Sequence, residues 1–189
     1  MKKYSLIIMV AVVLISINAI AQNVADGAFR GQIIGKGKAY TDKIALRWNV
    51  DNYQVFEKLV KEGVFIDRLT IDANNKAEGT WKRINTDTVK LKPLTAFGNK
   101  NAVNDTPKMV VAQMLYGKSK YPETKSLFEK IKTQDEERQN KHLITSLYTS
   151  VSADAAFLAG LGFEDKFNVD TSKKYVYRVY NPGRPKMVG

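Results

Sequence analysis

Apolar and polar residues alternate in several short stretches of the chain, which is the period of a strand with one buried face. The clearest stretches are KIALRWN at 43–49, VFIDRLTID at 64–72 and KKYVYRVY at 173–180. In the first of them every second residue is apolar, and the apolar row ends in Trp48. We therefore predict three half-buried strands at these positions.

Weaker strand signals lie around these stretches. GKGKAYTD at 35–42 predicts an edge strand and a turn, and WKRI at 81–84 predicts a short strand. TVKLKPL at 88–94 predicts a further edge strand, because Pro93 cannot donate to a ladder. ANNKAEGT at 73–80 consists of turn-forming residues and predicts no regular structure.

Helical spacing appears first after KIALRWN, where a helix is predicted between a capping Asp51 and a terminating Gly63. A second helix is predicted to begin at Thr106-Pro107, with the threonine as cap and the proline at the first position. Gly117 is its predicted end.

Further helical spacing continues toward residue 164. One helix is predicted to begin near Pro122, and residues 132–142, which contain nothing apolar, form either a solvated helix or a loop. Apolar residues return with helical spacing at 143–151. Ser152 is the predicted cap of a short last helix that is closed by glycines at 160 and 162.

The order of elements is therefore strands, a helical block and one final strand. A lone strand after so many helical residues is stable only if it returns to the first sheet. We predict one α+β domain at 38–189 with helical insertions at about 51–62 and 106–164, and an extended lead-in at 22–37.

The order of KIALRWN, GVFIDR and KKYVYRVYNP resembles strands B, C and F of a fibronectin type III domain. With its helical segments, the chain is similar to the N-terminal module of large exported Bacteroidetes surface proteins, which combine a fibronectin-type fold with helical insertions. WKRI, AQMLYG at 112–117 and LAGLGFED at 158–165 match the same group. The resemblance implies a fibronectin type III-like antiparallel β-sandwich with a long helical insertion before the last clear strand.

The resemblance also assigns structural roles to single residues. Trp48 becomes the core tryptophan of strand B, Phe65 or Ile66 the core residue of strand C, and Tyr175 the corner tyrosine whose hydroxyl bonds nearby backbone. GRPKMVG at 183–189 is the only segment left to supply strand G. The sheet edge is then completed by this segment, by a longer chain, or by a partner or neighbouring module. The expected structural core contains Trp48, Leu46, Ile66, Tyr175 and Tyr177.

The first residues have the three parts of a secretory signal. Lys2 and Lys3 precede an apolar run at 6–17, and Ala19-Ile20-Ala21 predicts cleavage after Ala21. The apolar run is shorter than the roughly 20 residues that a membrane span needs. We expect a signal peptide at 1–21, no transmembrane segment after its removal, and export to the periplasm, the cell surface or the extracellular space.

Charge and cysteine content narrow the possible functions. The chain has 30 basic and 19 acidic residues and a formal net charge of +11, or +9 when Lys2 and Lys3 are removed and 28 basic residues remain. The lysines are scattered, so this charge indicates either a solubilising surface or contact with anionic surfaces. The absence of cysteine excludes disulfides, thiol nucleophiles and thiolate metal sites.

No set of residues with the spacing of a catalytic or cofactor site stands out. His142 is the only histidine, and on a helix it diverges from Glu136 and Glu137, which argues against a metal site. No G-x-S-x-G elbow is present, and GKGK at 35–38 is too short to cradle a phosphate. The carboxylates available for a glycosidase pair are Asp67, Asp72, Glu164 and Asp165.

The leading hypothesis is therefore an exported, non-catalytic binding or assembly module at the bacterial cell envelope or surface. Its expected partner is a protein or an anionic glycan, and we expect no catalytic, cofactor-binding or metal-ligating residues and no cofactor. Two alternatives stay open: a glycan-acting hydrolase that uses a carboxylate pair, and a basic envelope protein that binds anionic polymers.

Overall fold

The computed structural model of the chain describes residues 32–98, 105–118 and 126–181. The predicted signal peptide at 1–21, most of the lead-in at 22–37 and the segment GRPKMVG lie outside these residues. The described strands are β1 (Ile33–Ala39), β2 (Lys43–Val50), β3 (Phe65–Ile71), β4 (Ala77–Arg83), β5 (Gly162–Lys166) and β6 (Lys174–Tyr180). The described helices are α1 (Tyr53–Glu62), α2 (Thr106–Tyr116), α3 (Leu127–Val151) and α4 (Ala153–Leu158), with a 3-10 turn at Leu94–Phe97.

The strands form two antiparallel sheets of three strands each, ordered β1-β2-β5 and β4-β3-β6. In β2, the middle strand of the first sheet, every second residue is buried, as its alternation predicts. In the second sheet β3 pairs with β6 in unbroken register, from Phe65 opposite Tyr180 to Ile71 opposite Lys174. The three strands predicted from the clearest alternating stretches are confirmed.

One hydrophobic core takes side chains from both sheets and from the helices. The buried row of β2 and the fully buried Ile66 of β3 belong to it. Burial of each large aliphatic or aromatic side chain stabilises the fold by about 1.5–3 kcal/mol. The predicted α+β class is confirmed at this level. The helices and the turn after α4 contribute Phe56, Leu59, Val60, Val111, Ala155, Ala159 and Leu161.

Two helix caps differ from the predicted ones by one residue, the cap of α1 lying one residue later and the cap of α2 one residue earlier. Asn52, not Asp51, caps α1, and its Oδ1 accepts the backbone N–H groups at positions 54 and 55 at 2.9 and 3.2 Å. Asp51 instead accepts the N–H of Gln32 at 2.8 Å, which ties it to the residue before β1. Asp105, not Thr106, caps α2, because its carboxylate accepts the N–H of Lys108. The predicted ends at 63 and 117 are confirmed.

The polar stretch 132–142 is helical and belongs to the single helix α3. The predicted start near Pro122 lies outside the described residues, and α3 begins after Ser126, which forms a capping box with Glu129. The polar residues of α3 are not only solvated, because part of them packs on α1. Two side-chain pairs make this contact: Tyr53 with Asp135, and Arg138 with Glu57.

Several strand boundaries differ from the predictions. β1 begins at Ile33, inside the predicted lead-in, and β4 begins at Ala77, inside the predicted turn. TVKLKPL forms only an isolated bridge through Val89, because the N–H groups of residues 91 and 92 bond carbonyls at the ends of α1 and α4. β5 was not predicted, because only one of its side chains, that of Phe163, is large and apolar. The predicted helical insertion to 164 is therefore wrong at its end, since α4 stops at 158.

Candidate functional site

The inward face of β1 has almost no side chains. In the register of the first sheet, Gly35 lies opposite Trp48, Gly37 opposite Leu46, and Ala39 opposite Ile44. Partners in an antiparallel pair share a face, so the two glycines and the alanine stand beside the apolar row of β2. Among the residues that the structure describes, space beside that row therefore stays open.

This space is a cavity of about 1030 Å³. Its floor is apolar, because Ile44, Leu46 and Trp48 line it together with the aromatic rings of Tyr175 and Tyr177. Pockets for small molecules usually hold about 300–1,000 Å³, so this cavity is slightly larger than that range. We call this side of the two sheets the open flank: strand β1, the inward row of β2, the loop at 169–173, and residues 175–179 of β6.

The edge of β6 forms one wall of the open flank. Five consecutive residues, 175–179, line the cavity. Successive side chains of a strand point to opposite faces, so five consecutive lining residues show that the backbone edge itself bounds the space. β6 pairs with β3 on its other side, and within the described residues no strand pairs with this edge.

The charged residues that line the open flank are mostly basic: Lys36, Arg47, Lys173 and Arg178 against Asp170. A hydrogen bond from Ser172 lowers the pKa of Asp170, so this carboxylate is ionised at neutral pH. A hydrogen bond to Glu78, at 2.7 Å, raises the pKa of Lys173. Lys36 has no ion pair among the residues that the structure describes. Because Arg178 and Lys173 are paired with Asp67 and Glu78, the excess positive charge of the flank comes from Lys36 and Arg47.

Contacts on the outer face of the second sheet hold β6 in place. Arg178 donates from Nε and Nη2 to Oδ2 of Asp67 at 2.9 and 2.7 Å, and its guanidinium lies 4.4 Å from the ring centroid of Trp81. Tyr180 donates to Oδ1 of the same carboxylate at 3.2 Å. Asp67 is 4% exposed, so this is a buried ion pair with several hydrogen bonds. The edge of β6 is thereby fixed before anything binds to it.

The loop before β6 is fixed to the first sheet. The backbone N–H groups of Phe167 and Val169 donate to the carbonyls of residues 42 and 41, both at 3.0 Å. The hydroxyl of Tyr175 accepts the N–H of Asp170 at 3.1 Å.

On the other side of the sheet pair, charged groups fill the space between the sheets. Arg68 of β3 contacts Asp165 of β5 at 2.6 Å, and Tyr177 of β6 donates to the same carboxylate at 2.8 Å. The guanidinium of Arg68 also lies 4.0 Å from the ring centroid of Phe167. Burial, and then the hydrogen bond to Asp165, raise the pKa of Tyr177. We call these four residues the closed flank.

The five residues expected in the core are all buried or partly buried, and most of them also border the open flank. Trp48, Leu46 and Ile66 are buried, with exposures of 4%, 6% and 0%. Tyr175 and Tyr177 are partly buried and pack against the core. The indole N–H of Trp48 has no acceptor among the described residues. Four of the five line the cavity, and Ile66 does not.

The residues considered for catalysis or metal binding are engaged elsewhere. His142 lies on α3 with Nε2 2.7 Å from the carbonyl of Val50, and its ring packs on Phe56. Within the described residues, no group of three or more His, Asp or Glu side chains is arranged to hold a metal ion. The four carboxylates each have a partner: Asp67 pairs with Arg178, Asp165 with Arg68, Glu164 with Lys43, and Asp72 with backbone N–H groups of its turn.

Sequence reasoning did not identify the open flank as a site. The available signal was the stretch GKGKA at 35–39, in which small residues alternate with lysine at the period of a strand. A glycine inside a strand often marks a place where another backbone approaches closely. The alternation of glycine and lysine in GKGKA therefore indicates a strand whose inward positions carry no side chains. It does not indicate a phosphate-binding loop.

In the part of the chain that the structure describes, no helix is both long and apolar enough to cross a membrane. Comparison of the chain with protein-family models, with curated proteins and with solved structures gave no match in any of the three.

Proposed function

We propose that this chain is an exported, non-catalytic binding or assembly module of the bacterial cell envelope or surface, and that the open flank is its binding site. The observation that carries the proposal is the cavity of about 1030 Å³ with an apolar floor and a strand edge as its wall. Binding sites are concave, mostly apolar and supplied with a few fixed polar groups. The open flank has these properties, and its wall is held rigid by the contacts of Arg178.

The strand arrangement supports a fibronectin type III-like sandwich. In sandwiches of this architecture strand B lies in one sheet, while strands C, F and G are neighbours in the other. Here β2 lies in one sheet, and β3 and β6 are neighbours in the other, as the resemblance requires of strands B, C and F. Strand G would pair with the edge of β6 that bounds the open flank. The binding site then lies where this sandwich accepts its last strand.

Two sequence features support export and a role without catalysis. The predicted signal at 1–21 directs the chain out of the cytoplasm. The carboxylates available for a glycosidase pair are each engaged by an arginine, a lysine or backbone N–H groups, which supports a role other than glycoside hydrolysis.

Site-directed photo-crosslinking in cells that naturally produce the chain tests the proposal. A benzoylphenylalanine in place of Lys36 reports on the open flank, and the same residue in place of Lys132, on the exposed surface of α3, is the matched control. We expect a discrete adduct from position 36 and none from position 132. N-terminal sequencing of the exported chain is expected to begin at Gln22.

Two results would overturn the proposal. The first is the absence of an adduct from position 36, or equal adducts from positions 36 and 132, because either outcome removes the open flank as a specific site. The second is a chain that stays in the cytoplasm with its first residues uncleaved.

A further inference from the structure

We infer that the open flank binds an extended segment of another polypeptide, which pairs as an added strand with the edge of β6, places apolar side chains at every second position in the cavity, and carries acidic residues between them. This inference rests on the proposed function, because it names the partner of the same site.

The first argument is the shape of the available edge. β6 runs for seven residues in unbroken register with β3 and has no proline, whereas the opposite edge strand, β4, pairs with β3 through a register shift between Arg68 and Thr70. Bulges and prolines are devices by which proteins protect sheet edges from further pairing. The pairing of β4 contains an irregularity of this kind, whereas β6 has neither a bulge nor a proline. A strand can therefore add to β6 without rearranging the sheet.

The second argument is the space beside that edge. Gly35 and Gly37 remove the side chains that would otherwise fill the distance between β1 and β6. A Cβ atom at Gly37 would meet its nearest neighbour, Leu46, at an ordinary 3.5 Å, and at Gly35 the nearest atom is 3.7 Å away. The glycines are therefore not required by crowding in this structure. Approach of a further backbone is the physical reason for glycine at such positions.

The third argument is the charge around the edge. Side chains of the added strand that point away from the cavity would stand beside the outer row of β6, where Lys174 supplies positive charge and Arg178 is already paired with Asp67. Lys36 and Arg47 add positive charge at the cavity, and Asp170 is the one acidic residue that lines it among the described residues. Opposite charges on neighbouring strands attract, and like charges repel. Acidic residues at the outward positions of the added strand therefore fit this edge.

An anionic glycan would contact the same basic groups. It would not cover the apolar floor of the cavity, and it would not pair with the backbone N–H and C=O groups along the edge of β6. The alternation of apolar and acidic positions, together with backbone N–H and C=O groups, belongs to a polypeptide strand. We therefore take the polypeptide as the occupant and treat the glycan as an outcome of the test.

The test measures amide hydrogen exchange in the presence of defined peptides. The probe is a blocked peptide of about nine residues with the sequence TVEVTVEVT, long enough to cover β6. One control peptide has lysine in place of glutamate, a second has the scrambled sequence TVVETEVVT, and a third carries N-methyl groups at alternate amides. We expect roughly tenfold slower exchange in β6 with the probe, and unchanged exchange in β4.

A second readout follows the affinity through Trp48. In a Trp81→Phe variant the remaining tryptophan lines the cavity, so its fluorescence reports on occupancy. The lysine peptide and the N-methylated peptide are each expected to bind about tenfold more weakly than the probe. A heparin oligosaccharide is the glycan probe, and slower exchange in β6 with heparin but not with the peptide would overturn the inference.

A cavity-filling variant supplies the matched control on the protein side. Gly35→Val and Gly37→Val together place side chains in the cavity at positions where the backbone is not in the left-handed region. This double variant is expected to fold and to lose the effect of the peptide on β6. Lys132→Val, on the exposed surface of α3 outside the open flank, is expected to keep that effect.

The inference is overturned if the probe leaves exchange in β6 unchanged, if β4 is slowed equally, or if the N-methylated peptide binds as well as the probe. Such a result does not affect the proposed function as long as the adduct from position 36 forms. Loss of that adduct would contradict the proposed function itself, so the two failures are distinguishable.

Discussion

At the closed flank, Arg68, Asp165 and Tyr177 fill the space between the two sheets with hydrogen-bonded charge, and the aromatic ring of Phe167 covers the guanidinium. At the open flank the corresponding space receives few side-chain atoms from β1, because its inward positions after Ile33 are glycine, glycine and alanine. The same pair of sheets is thus sealed on one side and left with a large cavity on the other.

The comparison shows how a small domain can combine a stable core with an unfilled site. The closed flank and the contacts between Arg178 and Asp67 fix β3, β5 and β6 relative to one another. The open flank can then keep its cavity without collapse of the sheets onto each other. This difference between the flanks can be tested with variants that add a larger side chain, remove a side chain or remove a charge at one flank at a time.

The largest effect is expected at the closed flank. Asp165→Leu leaves the guanidinium of Arg68, whose side chain is 17% exposed, without its carboxylate. Removal of one partner of a buried ion pair costs about 3–5 kcal/mol of unfolding free energy. Urea unfolding measures the loss, and the double variant Arg68→Met/Asp165→Leu is expected to recover much of it. A loss below about 1 kcal/mol would show that this pair does not hold the sheets together.

Replacement of a glycine by alanine is expected to lower the unfolding free energy at Gly160 and to raise it at Gly37. Gly160, next to β5, has φ +73°, and a Cβ there would lie 2.4 Å from the carbonyl carbon of Lys90. Gly160→Ala is expected to lower the unfolding free energy by about 1–3 kcal/mol or more. Gly37→Ala should instead raise it by about 0.4–1 kcal/mol, because it restricts only the unfolded chain. Thermal unfolding of both variants checks the signs, and a destabilising Gly37→Ala would contradict an empty inward face.

Substitution of a valine by phenylalanine is expected to give a smaller difference in stability between the filled core and the cavity. Val64 is fully buried, whereas Val179 lines the cavity. Val64→Phe forces a larger ring into filled space and is expected to cost about 1–3 kcal/mol. Val179→Phe should cost less than about 1 kcal/mol, since the cavity accepts the ring. Equal losses in chemical denaturation would mean that the cavity is not available to side chains.

The smallest effect concerns acid stability at the open flank. The hydrogen bond from Ser172 lowers the pKa of Asp170 in the folded chain below its usual 3.8. A lowered folded-state pKa contributes stability above the unfolded pKa, and this stability is lost as the pH falls below about 4. Asp170→Asn is therefore expected to make unfolding free energy fall less steeply between pH 5 and about 3. Urea unfolding across this range measures the slope, and an unchanged slope would contradict the contribution of Asp170.

Local patterns predicted much of the secondary structure. The alternation around Trp48 and in KKYVYRVY indicated the strands, because a half-buried strand needs every second residue apolar whatever its neighbours are. Glycines 63 and 117 indicated helix ends for a similar local reason. The caps were misplaced by a single residue, since adjacent Asp, Asn and Thr residues compete for the same role and only the backbone path selects one.

β5 shows where local reasoning failed. The segment GFEDK has a weak alternation of its own, and it becomes a strand because it pairs with β2. The role of Asp165 could not be read from the sequence either, because its partner Arg68 lies 97 positions away in the chain. A carboxylate that looked available for catalysis is a structural group between the sheets.

The sequence by itself determined which segments can be strands or helices, which face of each is apolar, and that the chain lacks cysteine. These properties follow from residues close together in the chain. Only the tertiary structure decided which strands share a sheet, that charge closes one flank, and that the glycines of β1 leave the other open. Those features depend on distances between residues up to about a hundred positions apart, and local periodicity contains no information about them.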